Sequence, residues 1–222
     1  MAIAIASTSN VTIANGAGQT ISAPAGLTAG DLLIAHITLT EIAGTNNLNS
    51  PSGWTAIRSL DQIADTKSYV YWKVATSTEV SGGLTYTTTA EGRNGGALYR
   101  ITGADTVNPV SGSSVGSATA SSFNLAIGLT PTYADSGYLI LVSGGGSQTA
   151  SGYAIATSNP TWTEAYDNGS VSLNMAGAYA TRSSTSATGN VSFTMSSNTS
   201  NQANLIIINP AQATNSNFFQ LF

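Results

Sequence analysis

The stretch that decides the fold of this chain runs from Pro51 to Gly103. It holds three segments: PSGWTAIRSL from residue 51, SYVYWKVATSTE from residue 68 and LTYTTTAEGRNGGALYRITG from residue 84. Between Tyr69 and Val74, aromatic or polar side chains alternate with apolar ones, which is the period-two pattern of a β-strand. The Thr-rich run after Leu84 has a strong strand preference. The stretch therefore predicts a series of β-strands.

A fainter copy of this stretch follows about 107 residues later in the chain. It reads NPTWTEAYD from residue 159, LNMAGAYAT from 173, VSFTM from 191 and ANLIIINP from 203. Four anchors in the same order indicate an internal duplication. Three anchor pairs are 107 positions apart and the fourth is 108 apart: Gly30 and Gly137, Tyr86 and Phe193, Leu98 and Leu205, and Trp54 and Trp162.

Other strands and turns are predicted from short runs of sequence. DLLIAHITLT (31–40) predicts a strand that is buried on both faces, and YLILV (138–142) is its counterpart. Gly, Asn and Ser clusters predict turns between strands. The predicted turns are Asn15-Gly16, Ser81-Gly82-Gly83 and 91–96, and the Ser/Gly/Ala-rich segment 103–122 is predicted to be a connection.

These patterns predict an all-β protein with a jelly-roll-like antiparallel β-sandwich and an internal two-fold repeat of about 107 residues. No segment shows a sustained helical period. We expect residues 1–212 to form one sandwich from two repeats, about 1–110 and 111–212, because segment 103–122 itself resembles the opening strands of the first repeat. Two separate small sandwiches are the alternative. Residues 213–222 form a distinct aromatic tail.

The composition is unusual in its low charge. Charged residues make up 7% of the chain, against about 25% in average proteins. The polar surface must therefore consist of Ser, Thr, Asn, Gln and Gly. Such a surface suits lateral packing of subunits, because few charges have to be desolvated on contact. An ordinary β domain with a weakly charged surface is the alternative interpretation.

Charge and residue usage argue against several classes of function. The net charge is −4 and there is no basic stripe, so nucleic-acid binding is not expected. There is no Cys, which excludes disulfides and thiol chemistry. The apolar run after Met1 is too short for a signal peptide, and no run approaches a membrane span. We therefore expect synthesis in a cytoplasm and no membrane partner.

The last ten residues, ATNSNFFQLF, are the candidate partner interface. A polar spacer leads to four apolar side chains, which fit solvent poorly at a chain end. The hypothesis is that this tail docks on a neighbouring subunit, and packing on its own domain is the alternative. The predicted interface residues are Phe218, Phe219, Leu221 and Phe222.

No pattern in the sequence indicates catalysis or a cofactor. His36 lies inside an apolar strand, where a hydrogen-bonded structural role is expected rather than a general base. The acidic pairs Asp61/Asp65 and Glu164/Asp167 are weak candidates for metal binding, and the acids of the turns do not form a convincing catalytic pair. Exposed tyrosines could stack on sugars, although half-buried sandwich positions are the usual alternative. The tyrosines concerned are Tyr69, Tyr71, Tyr99, Tyr153, Tyr166 and Tyr179.

The chain resembles a family of β-sandwich modules in tailed-phage virion proteins and some bacterial surface proteins. The resemblance covers most of residues 27–110 and, more faintly, 123–210, and its motifs are structural. The FFQLF tail is not part of the family pattern. The motifs that carry the resemblance are GDLLIA (30–35), PSGWT (51–55), YWKVA (71–75) with Glu79, Tyr86-Thr87, and Tyr99 to Pro109.

The resemblance implies a non-enzymatic structural protein of the phage virion, without a cofactor. It suggests a capsid decoration (cement) protein or an appendage subunit, forming a homo-oligomer with other virion proteins, with a trimer expected by analogy with virion appendages. The alternative is a tail-fibre module that binds a receptor or host carbohydrate. The family supplies no catalytic residues.

Overall fold

The computed structural model of the chain describes residues 2–40, 45–62, 66–125, 128–146, 154–155, 160–170 and 172–212. These residues form β-strands and one short helix. The elements of the first half are β1 (Ala4–Thr8), β2 (Thr12–Ile21), β3 (Leu32–Thr40), β4 (Leu48–Asn49), β5 (Thr55–Gln62), β6 (Thr66–Val74), α1 (Ser77–Gly82) and β7 (Leu84–Thr102). Those of the second half are β8 (Val110–Leu125), β9 (Ser136–Gly146), β10 (Ala154–Ile155), β11 (Thr163–Ser170), β12 (Ser172–Arg182) and β13 (Val191–Ile208).

Each half of the chain forms one antiparallel sheet. The first sheet has the order β1-β7-β3-β6-β5, and β2 and β4 also pair with β7. The second sheet has the order β10-β13-β9-β12-β11, and β8 also pairs with β13. The two sheets pack face to face, since one apolar cluster contains residues of both. The prediction of an all-β protein with a β-sandwich architecture is confirmed at this level.

Strand β3 occupies the centre of the first sheet because it is apolar on both faces. Leu32 and Ile34 face the second sheet and join the cluster that both sheets share. Ala35 and Ile37 face the other way, into a cluster made only of first-half residues. The near-continuous burial of β3 agrees with the prediction from its sequence.

Apolar clusters therefore lie in three layers. The shared cluster lies between the sheets and includes Tyr99 of β7 and Leu141 of β9. On the outer side of the first sheet, Ile21 and Leu98 belong to a cluster of residues 21–98. On the outer side of the second sheet, Val142 belongs to a cluster of residues 129–205. Each half thus has a core of its own besides the shared one.

Two predicted turns are wrong, because β2 and β7 continue through them. Asn15-Gly16 lies inside β2 and pairs with Arg93 and Gly92 of β7. The register shifts between Gly16 and Gly18, both at positive φ, so the two strands bend together instead of turning back. The segment predicted as a turn at 91–96 is the middle of β7.

Asn94 holds this bend of β7 in place. It is fully buried, its Nδ2 donates to the carbonyl oxygens of Gly16 (3.0 Å) and Gly92 (3.1 Å), and its Oδ1 accepts a hydrogen bond from the Tyr86 hydroxyl (2.9 Å). A residue type that usually marks turns here satisfies the backbone of two bent strands.

The predicted connection 103–122 is also wrong for most of its length. Residues from Val110 onward form β8, which pairs with β13 along its length. The Ser/Gly/Ala composition has little strand preference of its own. Pairing with the long β13 determines the conformation instead, because strand formation depends strongly on neighbours.

Helix α1 replaces the first part of the turn predicted at Ser81-Gly82-Gly83. Thr76 caps its N-terminus, and the Glu79 carboxylate accepts hydrogen bonds from the Thr76 backbone N–H (2.9 Å) and hydroxyl (2.7 Å). This is the reciprocal capping box of a helix start. Gly83 ends the helix at a positive φ of 69°.

Candidate functional site

The candidate site with most chemistry is a hydrogen-bonded group between the two sheets, the interlayer polar cluster, formed by His36, Thr38, Ser143 and Tyr166. The His36 Nε2 lies 2.8 Å from the Ser143 Oγ, and its Nδ1 lies 2.7 Å from the Tyr166 hydroxyl. The Thr38 Oγ1 lies 2.6 Å from the same Ser143 Oγ. The group connects β3 of the first sheet to β9 and β11 of the second.

Burial determines the charge state of this cluster. His36 is 0% exposed, and desolvation lowers its pKa from 6.5 to about 3. Burial also raises the pKa of Tyr166 above its ordinary value. All members of the cluster are therefore neutral near pH 7, and the imidazole carries one N–H.

The distance between Ser143 and His36 would suit a nucleophile and its general base. The surroundings of the two residues do not suit that role. A hydrolytic pair needs an exposed nucleophile and a group that orients the base. Ser143 and His36 are both 0% exposed, and the second ring nitrogen of His36 meets a phenol instead of a carboxylate. The cluster is arranged to hold two sheets together.

Further polar contacts continue this layer away from the shared apolar cluster. Gln202 of β13 donates to the Thr66 carbonyl oxygen (3.1 Å), and Asn204 donates to the Ser68 Oγ (3.3 Å). Arg93 of β7 donates to the Ser170 Oγ of β11 (3.1 Å). One part of the sheet interface is thus apolar, and the other is built from neutral hydrogen bonds and a guanidinium.

The residues that carried the family resemblance have structural partners. The Arg100 Nε lies 2.7 Å from the Asp31 Oδ2, which also accepts from Thr28. Burial alone would raise the pKa of Asp31, but the hydrogen bonds from Thr28 and Arg100 outweigh it and lower that pKa. These motif residues fix the start of β3 against β7.

A second ion pair fixes α1 to β6. The Lys73 Nζ lies 2.6 Å from the Glu79 Oε1, and the Glu79 side chain is 4% exposed. Burial tends to raise the pKa of Glu79, whereas hydrogen bonds from Lys73 and Thr76 and the charge of Lys73 lower it to about 2. The carboxylate is therefore charged and satisfied inside the protein.

Replacing Lys73 with methionine should destabilise the protein by about 2–4 kcal/mol, because it leaves the buried Glu79 carboxylate without its counter-ion. The double variant K73M/E79Q should recover part of this loss, since it removes the charge as well. Urea denaturation at pH 7 measures both values. Equal losses in the single and double variants would show that the buried charge is not the cause.

The acidic residues that the structure describes do not assemble into a metal site. Asp61 is paired with Lys67 at 3.4 Å, and Glu164 is exposed. The Asp105 Oδ1 accepts from the backbone N–H groups of Val107 (2.8 Å) and Asn108 (3.0 Å), as in an Asx turn. Asp65 lies outside the described residues. Within the part of the chain that the structure describes, no group of three or more His, Asp or Glu residues could hold a metal ion.

The tyrosines considered for sugar stacking lie in or against the cores. Tyr71 and Tyr99 are buried, and Tyr69, Tyr166 and Tyr179 are half-buried. The ring centroids of Tyr99 and Tyr166 are 5.8 Å apart in the shared layer. Tyr153 lies outside the described residues. The described members of this set therefore do not form an exposed aromatic platform.

The predicted interface residues Phe218, Phe219, Leu221 and Phe222 lie outside the described residues. The described chain leads toward them from one place on the sandwich. The Ala211 N–H donates to the Gly103 carbonyl oxygen (2.8 Å), and Pro210 pairs with Ala104. Ala2 also lies against Gly103. Both ends of the described chain thus meet at Gly103.

Two features of these sites were missed by the sequence analysis. The pattern Thr76-x-x-Glu79 is the standard sign of a capping box and would have indicated α1. Ser143 is the residue of the second repeat that corresponds to His36. Its contact with His36 has no local sign, because the two residues are 107 positions apart.

Comparisons with known proteins identify no function for this chain. The sequence matches no protein-family model. No curated protein and no solved structure is significantly similar to it. Among the described residues, no helix is both long and apolar enough to cross a membrane.

Proposed function

We propose that this chain is a non-enzymatic structural subunit of a phage particle, acting as a capsid decoration (cement) protein or an appendage subunit. The observation that carries the proposal is the small amount of charge available to the surface. The chain has 6 basic and 10 acidic residues, and several of them are used internally. Asp31 pairs with Arg100 and Lys73 pairs with Glu79. The surface that remains is mainly hydroxyl and amide.

The outer face of β2, β7 and β4 illustrates such a surface. Thr20 and Thr85 join their hydroxyls at 2.8 Å, and Asn49 donates to the Thr87 Oγ1 at 2.9 Å. These side chains are exposed, uncharged and already ordered by one another. A neighbouring subunit could cover them with little loss of charge hydration or of side-chain freedom, which supports a role in lateral packing.

In this proposal the tail 213–222 supplies the specific contact, by docking its apolar side chains on a neighbouring subunit. A homo-oligomer is expected, with a trimer by analogy with virion appendages. The position of Ala211 beside Gly103 supports this role, because the tail starts from a firmly hydrogen-bonded site. Ten residues can reach at most about 36 Å from that site, enough for an adjacent subunit.

Deleting residues 213–222 should abolish self-association and binding to capsids without lowering the melting temperature of the monomer. Analytical ultracentrifugation and co-sedimentation with undecorated capsids measure the two effects. The matched control replaces Phe218 and Phe219 with serine, which keeps the length but removes the apolar groups. Unchanged assembly in both variants would contradict docking by the tail. Binding of the intact protein to host glycans, and not to capsids, would favour the tail-fibre alternative.

We also infer that the two sheets are two copies of one ancestral unit. The second sheet repeats the strand order of the first, with β8, β13, β9, β12 and β11 in the places of β1, β7, β3, β6 and β5. His36 and Ser143, which occupy equivalent positions, touch each other. Contact between equivalent positions is expected near a two-fold axis, and this supports the duplication. The jelly-roll connectivity and the domain boundaries stay predictions.

A further inference from the structure

We propose that the interlayer polar cluster is an acid-sensitive contact, and that protonation of His36 separates the two sheets while each sheet keeps its own outer core. The proposal does not depend on the proposed function. It starts from the position of His36, which belongs to β3 but uses both ring nitrogens on residues of the second sheet. The free-energy cost of protonating this ring would therefore weaken the contact between the two sheets.

Among the residues that the structure describes, the groups around the ring offer no negative charge to an imidazolium. From β11 the ring meets Tyr166, and from β9 it meets Ser143. Strand β7 contributes Tyr99, which lies against Tyr166, and further along the interface the guanidinium of Arg93 donates to Ser170 of β11. These are phenols, a hydroxyl and a cation, so none of them supplies the negative charge that would compensate a proton on His36.

The other described strands near the cluster add no negative charge beside His36. Strand β6 directs Thr66 and Ser68 toward the second sheet, and β12 contributes Tyr179 to the shared cluster. Asp167 follows Tyr166 in β11 and pairs with Ala176, a residue of the outer cluster. Because strand side chains alternate, its carboxylate lies on the side of β11 away from His36. A protonated His36 would gain hydration only if the sheets moved apart.

Separation of the sheets is a physically reasonable opening because each sheet is packed on its far side as well. The outer cluster of the first half contains residues 21–98 only, and that of the second half contains residues 129–205 only. The strand pairings within each sheet do not cross to the other sheet. Opening would break the shared cluster and the interlayer hydrogen bonds, and would leave both hydrogen-bonded sheets intact.

The three tryptophans report separately on the three layers. Trp72 packs against the cluster shared by the two sheets. Trp54 packs against the outer clusters of the first half, and Trp162 packs against those of the second half. Three variants, each with two tryptophans replaced by phenylalanine, therefore follow the three layers one at a time.

The test is urea denaturation of these single-tryptophan variants at pH 7 and at pH 4, followed by fluorescence. The ratio of open to closed molecules should rise about tenfold for each pH unit below 6.5, or about 300-fold at pH 4. At pH 4 we expect Trp72 to change at a lower urea concentration than Trp54 and Trp162. Coincident transitions of all three at pH 4 would overturn the proposal.

Two measurements keep the result independent of the tryptophan replacements. In the unmodified chain at pH 4, the dye 8-anilinonaphthalene-1-sulfonate should bind at urea concentrations where the far-ultraviolet circular dichroism is still native. In a His36→Gln variant of each reporter, the separation between the Trp72 transition and the others should no longer depend on pH. A pH-dependent separation that persists without His36 would also overturn the proposal.

Discussion

Replacing Gly83 with alanine should lower the free energy of unfolding by more than about 3 kcal/mol. Gly83 ends α1 with φ 69° and ψ −132°, a conformation that side chains with a Cβ rarely adopt. An added Cβ would also collide with the Ile21 carbonyl oxygen and lie 2.7 Å from the Ala23 nitrogen. Both neighbours are backbone atoms, so no rotamer change can relieve the contact.

The adjacent glycine is a matched control for this substitution. Gly82 belongs to α1, and an added Cβ there meets nothing within 4 Å. Gly82→Ala should therefore stabilise the protein by about 0.5–1 kcal/mol, as expected for alanine in place of glycine in a helix. Urea denaturation at pH 7 compares the two variants. A loss of less than 1 kcal/mol for Gly83→Ala would show that the segment after α1 adjusts without strain.

Between pH 7 and pH 4, His36 alone should lower the free energy of unfolding by about 3 kcal/mol. Burial lowers the pKa of folded His36 from 6.5 to about 3. The unfolded chain therefore binds a proton as the pH falls below 6.5, whereas the folded protein does not until about pH 3. Stability is complete above pH 6.5 and decreases throughout this interval.

The chain is suited to this measurement because His36 is its one histidine. Above pH 5 the carboxylates of Asp31 and Glu79 contribute little slope, because their ordinary pKa values of 3.8 and 4.5, which apply to the unfolded chain, lie below pH 5 and their folded pKa values are lower still. Their contribution is lost only at lower pH. Free energies of unfolding at intervals between pH 5 and pH 7 should show a clearly steeper slope in the parent protein than in His36→Gln. Equal slopes in the two proteins would refute the assignment to His36.

Particular residues show what the sequence could and could not predict about the fold. The apolar run Leu32–Thr40 predicted a strand buried on both faces because its pattern is local. The path of β7 through Asn94 was not predictable from turn preferences, since that conformation depends on Gly16 of β2 and on Tyr86, eight residues earlier in β7. Strand β8 is likewise specified by its partner β13 more than by its own Ser/Gly/Ala composition.

The candidate site was even less accessible to sequence analysis. A histidine inside an apolar run correctly suggested a residue with a structural role and internal hydrogen bonds. Its partners Ser143 and Tyr166 are 107 and 130 positions away, and only packing of the sheets brings them together. In contrast, Lys73 and Glu79 are only six positions apart, and both belong to a motif that is recognisable in the sequence. The motif did not indicate that the two side chains form an ion pair between β6 and α1.

The meeting of Ala2 and Ala211 at Gly103 has a consequence for how this protein can be connected to anything else. Because Ala2 and Ala211 lie at one place on the sandwich, a fusion partner joined directly at either residue would sit on the same side of the molecule. Neighbouring termini are also the condition under which circular permutation is tolerated. A short linker could join Ala2 to Ala211, and new chain termini could be made in another loop. A fusion partner would then be attached at a different strand of the sandwich.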